Sequence, residues 1–269
     1  MKAIRTGFKL LLAVILATGL NSCSKSDKSI NIFSVDDDIT LGEQIDKQIT
    51  SDPATYPILD SVQYATAYSH LYRIRNTILK SGQLTYANRF AWKCRIIHSD
   101  TTVNAFCVSG GNIYVYSGII KFLDNEAEFA GVLAHEMAHA DRRHTTDMLT
   151  VKYGVDLLLG LLLGNNPDKL SELAANLAEG LGSLAYSRQN EYEADKYAVH
   201  YLYATSYDAA SLGDFFTKIN GESQALIFLS THPSPADRLE KINAEFQLLG
   251  GAHGQVYADR YQQFKASLP

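Results

Sequence analysis

The chain has 269 residues, of which 46% are apolar and 20% charged, a composition that is ordinary for a globular protein. This length is sufficient for one sizeable hydrophobic core. The formal net charge is -5, the pI is near 5.9 and basic residues form no cluster, so nucleic acid is not expected as a partner.

Residues 1–22 are typical of a secretory signal peptide. Basic residues precede an apolar run at 10–20, which is too short to span a membrane as a mature helix. Cys23 follows in a sequence that resembles a bacterial lipobox, so residues 23–35 would be a lipidated cysteine and a polar tether. Lipidation would anchor the mature protein to a membrane. The alternative is an ordinary secreted protein in which Cys23 is incidental.

The next segments predict two helices and three strands. Residues 36–50 and 58–80 have amphipathic helical periodicity, and prolines interrupt the chain between them. Apolar, β-branched and aromatic residues between turn signals predict strands at 92–98, 102–108 and 112–116. Most of the remaining chain is predicted to be helical. The sequence therefore predicts an α+β fold that is predominantly helical, with a small β-sheet.

The most informative motif is His135-Glu136-Met137-Ala138-His139. The residues before it have helix-forming composition, and positions four apart share one face of a helix, so both imidazoles can bind one metal ion. Glu136 would lie beside that metal, where it can take a proton from a water molecule. The alternative is a pair of structural histidines on a helix face.

A predicted helix at 186–198 carries carboxylates at positions 191, 193 and 195. One of them can supply the third protein ligand that a catalytic zinc site needs. Glu191 and Asp195 are four residues apart and share a face, so one can bind the metal while the other orients a ligand histidine. Glu193 is rotated by about 200° around the helix from Glu191 and is predicted to take no part in metal binding. The alternative is a solvated acidic face paired with Arg188 and Lys196.

Three motifs in this order resemble one known family. They are His135-Glu136-x-x-His139, then Ser187-Arg188-x-x-Glu191-x-Glu193-Ala194-Asp195, then Thr231-His232-Pro233-Ser234-Pro235-Ala236-Asp237-Arg238. Together they resemble the gluzincin zinc metallopeptidases, the family of the CAAX prenyl endopeptidase and HtpX. Within that family they are most similar to the compact BepA/LoiP-type periplasmic lipoprotein proteases. The likeness covers residues 36–250, which we expect to form the peptidase domain.

The resemblance implies an HExxH core of the minigluzincin kind with one zinc ion per chain. It makes Glu191 the third zinc ligand, beside His135 and His139, and Asp195 the residue that orients a ligand histidine. It also places His232 at the metal, and Arg238 in the organisation of the site. His232 or Arg238 would stabilise the oxyanion that develops during peptide hydrolysis.

Asn104, Ala105 and Phe106 resemble a strand that precedes the metal-binding helix in that family. As an edge strand, this segment would bind an extended peptide by β-augmentation, which predicts weak side-chain selectivity. The sequence departs from the family pattern at Ser109, where proline is common, and at Cys107, which follows the phenylalanine. We expect this departure to alter only the local geometry of the strand.

Cys94 and Cys107 are the two cysteines that remain once Cys23 is assigned to lipidation. The predicted strands that carry them read as neighbours around a turn, so their sulfur atoms would face each other across a hairpin and form a disulfide in an oxidising compartment. The alternative is two buried thiols. No histidine or cysteine stands at ligand spacing from either, so neither is predicted to bind metal.

Two further segments remain. Residues 157–163 are apolar on every side, which predicts a buried helix, the alternative being a surface that meets lipid or another protein. Residues 251–269 are expected to form a C-terminal tail. Because the chain ends soon after residue 250, the helical repeat domain of some relatives is expected to be absent.

The sequence therefore predicts a zinc endopeptidase of the bacterial cell envelope, lipid-anchored to the outer membrane and facing the periplasm. Its expected substrates, misfolded or misassembled envelope proteins, follow from the family resemblance alone. The rival hypothesis is a chaperone-like envelope lipoprotein with a structural zinc site. Glu136 argues against that rival, because a structural site needs no carboxylate beside an open metal position.

Overall fold

The computed structural model describes residues 31–156, 158, 167–180, 185–220, 222, 226–233 and 237–269. The predicted signal peptide and Cys23 lie outside these residues, as does the apolar run at 157–163 except for Leu158, which is buried. The hypotheses on those segments therefore stay predictions.

The described chain is mostly helical and contains one small sheet, as predicted. Its helices are α1 Val35–Thr50, α2 Ala65–Leu79, α3 Ser117–Phe122, α4 Glu126–Asp141, α5 His144–Tyr153, α6 Pro167–Gly180, α7 Arg188–Tyr203, α8 Ser211–Ile219, α9 Leu226–Thr231, α10 Arg238–Leu248 and α11 Ala258–Ala266. Its strands are β1 Lys93–Ile97, β2 Ala105–Val108 and β3 Asn112–Tyr116. The predicted α+β class is confirmed.

The predicted helix at 36–50 agrees with α1, which begins after Ser34. The Ser34 side chain accepts from the Asp37 backbone N–H and the Asp37 carboxylate accepts from the Ser34 backbone N–H, a capping box. The predicted helix at 58–80 begins later, at Ala65, because the preceding segment pairs with a strand instead. Ile58 forms an antiparallel bridge with Ile97, on the outer side of β1.

The sheet has the order β1-β3-β2, with β1 parallel and β2 antiparallel to β3. The predicted hairpin between β1 and β2 is therefore wrong. The chain reverses instead between β2 and β3, where Gly110 and Gly111 have φ of 72° and 81°, a backbone conformation that glycine adopts without steric cost. β3 thereby occupies the position between the two earlier strands.

This topology also overturns the predicted disulfide. Cys94 and Cys107 both stand opposite Ile113, but on opposite sides of β3. Two strand spacings amount to about 10 Å, whereas a disulfide needs Cα atoms within about 7 Å of each other. Both cysteines are free and buried, so the alternative of two buried thiols is what the structure shows.

Helix α4 forms the centre of the molecule, and all of its residues are buried. It packs against α7, α8 and β2. Gly131 lets α8 approach closely, since a Cβ atom there would lie 3.1 Å from the Cα of Leu212. The expected C-terminal tail is part of this core as well, because Tyr261 and Phe264 of α11 are fully buried and their rings contact Phe129 of α4.

No helix within the described ranges has both the length and the apolar character needed to cross a membrane.

Candidate metal centre

The two motif histidines lie in the second half of α4. This helix begins after Asn125, whose side chain accepts a hydrogen bond from the Glu128 backbone N–H and so satisfies a donor of the first turn. His135 and His139 are one turn apart on the same face, and their Nε2 atoms are 3.0 Å apart. Both side chains are buried. The helix thus presents two ring nitrogens to one point inside the protein.

Helix α7 brings a carboxylate to that point. A capping box between Ser187 and Asn190 fixes the start of the helix and puts Glu191 in its first turn. The Glu191 carboxylate lies 3.5 Å from His135 Nε2 and 3.4 Å from His139 Nε2.

Asp195, one turn further along α7, contacts the other side of a motif histidine. Its Oδ1 lies 2.9 Å from His135 Nδ1, so it can fix the orientation of that ring. Arg238 at the start of α10 donates to both Asp195 oxygens, at 2.5 and 2.9 Å. Its guanidinium also lies 2.9 Å from Glu191 and 4.0 Å from the centre of the Phe216 ring. Arg238 is fully buried and thus compensates two buried carboxylates.

His232 follows α9 and completes the cluster. Its ring stacks on Phe228 with centroids 4.6 Å apart, and its backbone N–H donates to the Phe228 carbonyl. Nδ1 lies 3.3 Å from His135 Nε2 and 3.2 Å from a Glu191 oxygen. Nε2 lies 3.4 Å from a Glu136 oxygen. The structure therefore places His232 between the motif histidines and the motif glutamate.

These residues fit a zinc ion. His135, His139, Glu191 and His232 each offer one ligand atom, and these atoms all lie within 4.8 Å of one another. Among the described residues, His232 Nε2 and both Glu136 oxygens are buried without a hydrogen-bond partner. Burying such polar atoms is costly unless a counter-charge or ligand compensates them. Nitrogen and oxygen donors in this number match the ligands that zinc prefers.

Burial and charge act in opposite directions on this cluster. Burial alone would raise the pKa of Glu191, but interactions with His232 and with the Arg238 guanidinium hold it well below its usual range. Burial would lower the pKa of His135, but hydrogen bonds to Asp195 and Glu191 outweigh burial and raise it to about 9. The pKa of Glu136 is raised, mainly by burial, which is the direction a general base needs.

The alternative of a solvated acidic face on α7 is wrong, because all three carboxylates are buried. Glu193 does point away from the histidine pair, as helical geometry predicts. Its oxygens contact Arg142 at 2.9 Å and His144 at 3.3 Å. Sequence reasoning assigned no role to His144, although it stands five residues after His139 in a chain with eight histidines.

The strand that contains Ala105 and Phe106 is at the edge of the described sheet, next to α4. The Asn104 carbonyl accepts from the Tyr116 N–H of β3, so by the alternation of an antiparallel pair the backbone groups of Phe106 face β3 and those of Ala105 and Cys107 face away from it. At each of these two positions, one outward backbone group has a side-chain partner. The Asn104 side chain accepts from the Ala105 N–H at 3.0 Å, and the Tyr186 hydroxyl lies 3.5 Å from the Cys107 carbonyl oxygen as donor.

Tyr186 is a site residue that the sequence did not reveal. Its ring stacks on His139 with centroids 4.0 Å apart, and its hydroxyl lies 3.2 Å from the Thr145 hydroxyl. The one sequence feature that points to Tyr186 is its position directly before Ser187, the residue that caps α7. Phe106, by contrast, is stacked on Tyr114 at 4.8 Å and is buried in the core. Because its ring lies in the core and its backbone groups face β3, Phe106 itself does not present a group at the outer edge of β2.

A helix with two histidines and a glutamate, together with a glutamate from a second helix, defines the class of gluzincin-type metallopeptidases. The family model described as peptidase family M48 matches residues 69–246, more than half of the chain. The chain belongs to peptidase family M48 and is a zinc metallopeptidase.

Relatives from bacteria and mitochondria agree with this assignment. The beta-barrel assembly-enhancing protease of Yersinia pestis is 27% identical over 221 residues, which cover 77% of this chain and 43% of that protein. The Escherichia coli K12 protein of the same name is 30% identical over 157 residues, covering 54% and 32%. The mitochondrial metalloendopeptidase OMA1 of Schizosaccharomyces pombe is 32% identical over 155 residues, covering 56% and 45%. The chain thus spans less than half the length of each of these relatives.

Proposed function

We propose that this protein is a zinc endopeptidase of the bacterial cell envelope that cleaves unfolded or misassembled envelope proteins. The observation that carries the catalytic part is the Glu136 carboxylate. It is fully buried within the donor cluster, and neither oxygen has a hydrogen-bond partner in the described chain. A carboxylate held in this way is available to exchange protons with a reacting group.

His135, His139 and Glu191 would hold the zinc, with one ion per chain. When bound, zinc would polarise the scissile carbonyl and lower the pKa of water, which favours the hydroxide that attacks the carbonyl. Glu136 takes the proton of the attacking water and delivers it to the leaving amine. Its raised pKa makes it a stronger proton acceptor than an exposed glutamate.

Of the two candidates for the oxyanion, His232 is better placed. Its Nε2 is not engaged in a hydrogen bond within the described residues and lies beside Glu136. The Arg238 donors are engaged by Asp195 and by the Pro233 carbonyl. We infer that Arg238 positions Asp195 and Glu191, while His232 stabilises the charge that develops on the substrate.

An extended substrate would add to the edge of β2. Its backbone would bond to the outward groups of Ala105 and Cys107, and thus replace the Asn104 side chain and the Tyr186 hydroxyl there. Bonding through the backbone needs little side-chain recognition, which suits a substrate class defined by its unfolded state. This mode requires that Tyr186 moves when substrate enters.

The envelope assignment has two supports. The predicted lipobox at Cys23 would tether the protein to the outer membrane, facing the periplasm. The bacterial relatives are named beta-barrel assembly-enhancing proteases, which links related chains to envelope proteins. Because this chain covers only part of those relatives, their role in assembly is proposed here for the peptidase domain alone.

One observation favours a second function. His232 stands within the donor cluster and could act as a fourth zinc ligand, which would give the closed coordination of a structural site. The protein would then be a chaperone-like lipoprotein without hydrolytic activity.

Incubation with casein distinguishes the two functions. We expect the purified protein to degrade casein, to stop when zinc is removed by a chelator, and to recover when zinc is restored. A zinc-loaded protein that leaves casein intact but suppresses aggregation of an unfolded protein would support the chaperone instead.

A further inference from the structure

We propose that His144 and Glu193 form a relay that holds His139 in the orientation and tautomer required for metal binding. They are positioning residues for the zinc site, and the inference rests on His139 being a zinc ligand, as in the proposed function. In this relay the His139 ring is held by His144, the His144 ring by Glu193, and the Glu193 carboxylate by Arg142.

The backbone between α4 and α5 brings the second histidine back to the first. Arg143 has a φ of 63°, a left-handed conformation, and this sharp turn separates the two helices. His144 is consequently the first residue of α5 and is fully buried against His139. The two Nδ1 atoms are 2.9 Å apart, and the two rings stand at 77° to each other.

Proton positions along the relay follow from the chemistry of imidazole. His139 binds metal through Nε2 only if that nitrogen carries no proton, so the proton is on Nδ1. His139 Nδ1 therefore donates, and His144 Nδ1 accepts. A neutral His144 then carries its own proton on Nε2, which lies 3.3 Å from a Glu193 oxygen. Each atom in the chain thus has one consistent role.

The two motif histidines are held in parallel ways. His135 Nδ1 faces the Asp195 carboxylate directly, and Asp195 is paired with Arg238. His139 reaches Glu193 through His144, and Glu193 is paired with Arg142. Zinc-bound histidines generally donate their second ring nitrogen to a carboxylate or carbonyl. Here the same outcome is reached with one additional imidazole, because Glu193 lies on the far side of α7 from Glu191.

The relay is tested on the zinc-loaded protein with two substitutions of His144. His144→Leu removes the acceptor for His139, whereas His144→Asn keeps an acceptor oxygen close to the position of Nδ1. We expect His144→Leu to bind zinc about 10- to 100-fold more weakly in competition with a chelator. His144→Asn should stay within a few-fold of the wild type. Substituting cobalt for zinc should give a visible spectrum that changes in the leucine variant and not in the asparagine variant.

Asp141→Ala is the matched control. Asp141 is a buried carboxylate on the same helix α4, but its oxygens accept hydrogen bonds from the backbone N–H groups of Thr85 and Tyr86 and from the Tyr201 hydroxyl. The control should lower thermal stability and leave zinc affinity unchanged. The relay is overturned if His144→Leu binds zinc as tightly as the wild type, or if His144→Asn loses as much affinity as His144→Leu. Casein cleavage by the wild type, measured separately, decides the proposed function without affecting this outcome.

Discussion

Two glutamates two residues apart in α7 perform different tasks because helical geometry turns them to different neighbours. Glu191 approaches both motif histidines within 3.5 Å, whereas Glu193 contacts Arg142 and His144. The spacing in the sequence is sufficient to separate the two directions. It does not reveal what lies on the far side of α7, because His144 is brought there by the turn at Arg143 between α4 and α5. That Glu193 takes no part in metal binding stays a prediction, and the proposed relay gives it an indirect role through His144.

His232 offers the sharpest test at the scale of a single residue. If it binds zinc at rest, it holds the enzyme latent and must move before it can stabilise an oxyanion. We expect His232→Ala to release zinc to a chelator faster than the wild type, because one ligand is lost. Release followed with a zinc-sensitive dye provides the measurement. Equal release rates would leave His232 only its role toward the substrate.

The start of α7 and the edge of β2 are coupled through Tyr186 at the scale of secondary structure elements. Tyr186→Phe removes the hydroxyl that covers the Cys107 carbonyl and keeps the ring on His139. Because the lost contact is long, we expect KM for an extended peptide to fall only about 2- to 3-fold, with kcat nearly unchanged. Steady-state kinetics with a fluorogenic peptide would measure both constants. A raised KM would instead indicate that the hydroxyl binds substrate.

The elements themselves differ in how well the sequence predicts them. The amphipathic periodicity of residues 36–50 and the composition before His135 are local signals, and α1 and α4 form where these signals indicate. The order of the strands depends on contacts between distant segments, and the pairing of β1 with β3 has no local signal. Gly110 and Gly111 did mark the turn that makes β2 and β3 a hairpin. The disulfide prediction failed at this point, since it assumed that consecutive strands pair.

At the scale of the molecule, the described part of the chain packs around α4, and Glu126 in the first turn of α4 links distant helices. The carboxylate is fully buried and contacts Arg73 of α2 and Arg260 of α11, each at 2.5 Å. Burial would raise the pKa of Glu126, but hydrogen bonds from both arginines lower it below its ordinary value of 4.5. A carboxyl with a lowered pKa contributes stability that is present above the ordinary value and is lost as the pH falls through the lowered value.

Glu126→Gln should therefore lower the free energy of unfolding by about 2 kcal/mol at neutral pH. This loss of stability is smaller than the loss expected for a fully buried ion pair, because the side chains of Arg73 and Arg260 are partly exposed and solvent screens their charges. Urea unfolding of the metal-free proteins at several pH values would measure it. The difference between wild type and variant should be constant above pH 4.5 and shrink below it. A difference that grows on acidification would contradict the assigned sign.

Anchoring of the whole molecule is predicted to depend on Cys23. Cys23→Ala cannot be lipidated, so we expect the variant to leave the detergent phase in a Triton X-114 separation while the wild type stays in it. Unchanged partitioning would show that another segment, such as the apolar run at 157–163, makes the membrane contact.

Replacement of Glu136 tests the central claim, which is that this buried carboxylate is the general base of a zinc peptidase. Glu136→Gln preserves the size of the side chain and leaves the metal ligands intact, but it removes the base. We expect casein cleavage to fall at least about 100-fold while zinc content stays at the wild-type level. Glu128→Gln, the same change at the buried start of α4, serves as the control and should retain activity. Cleavage by Glu136→Gln at a rate near the wild type would contradict the account.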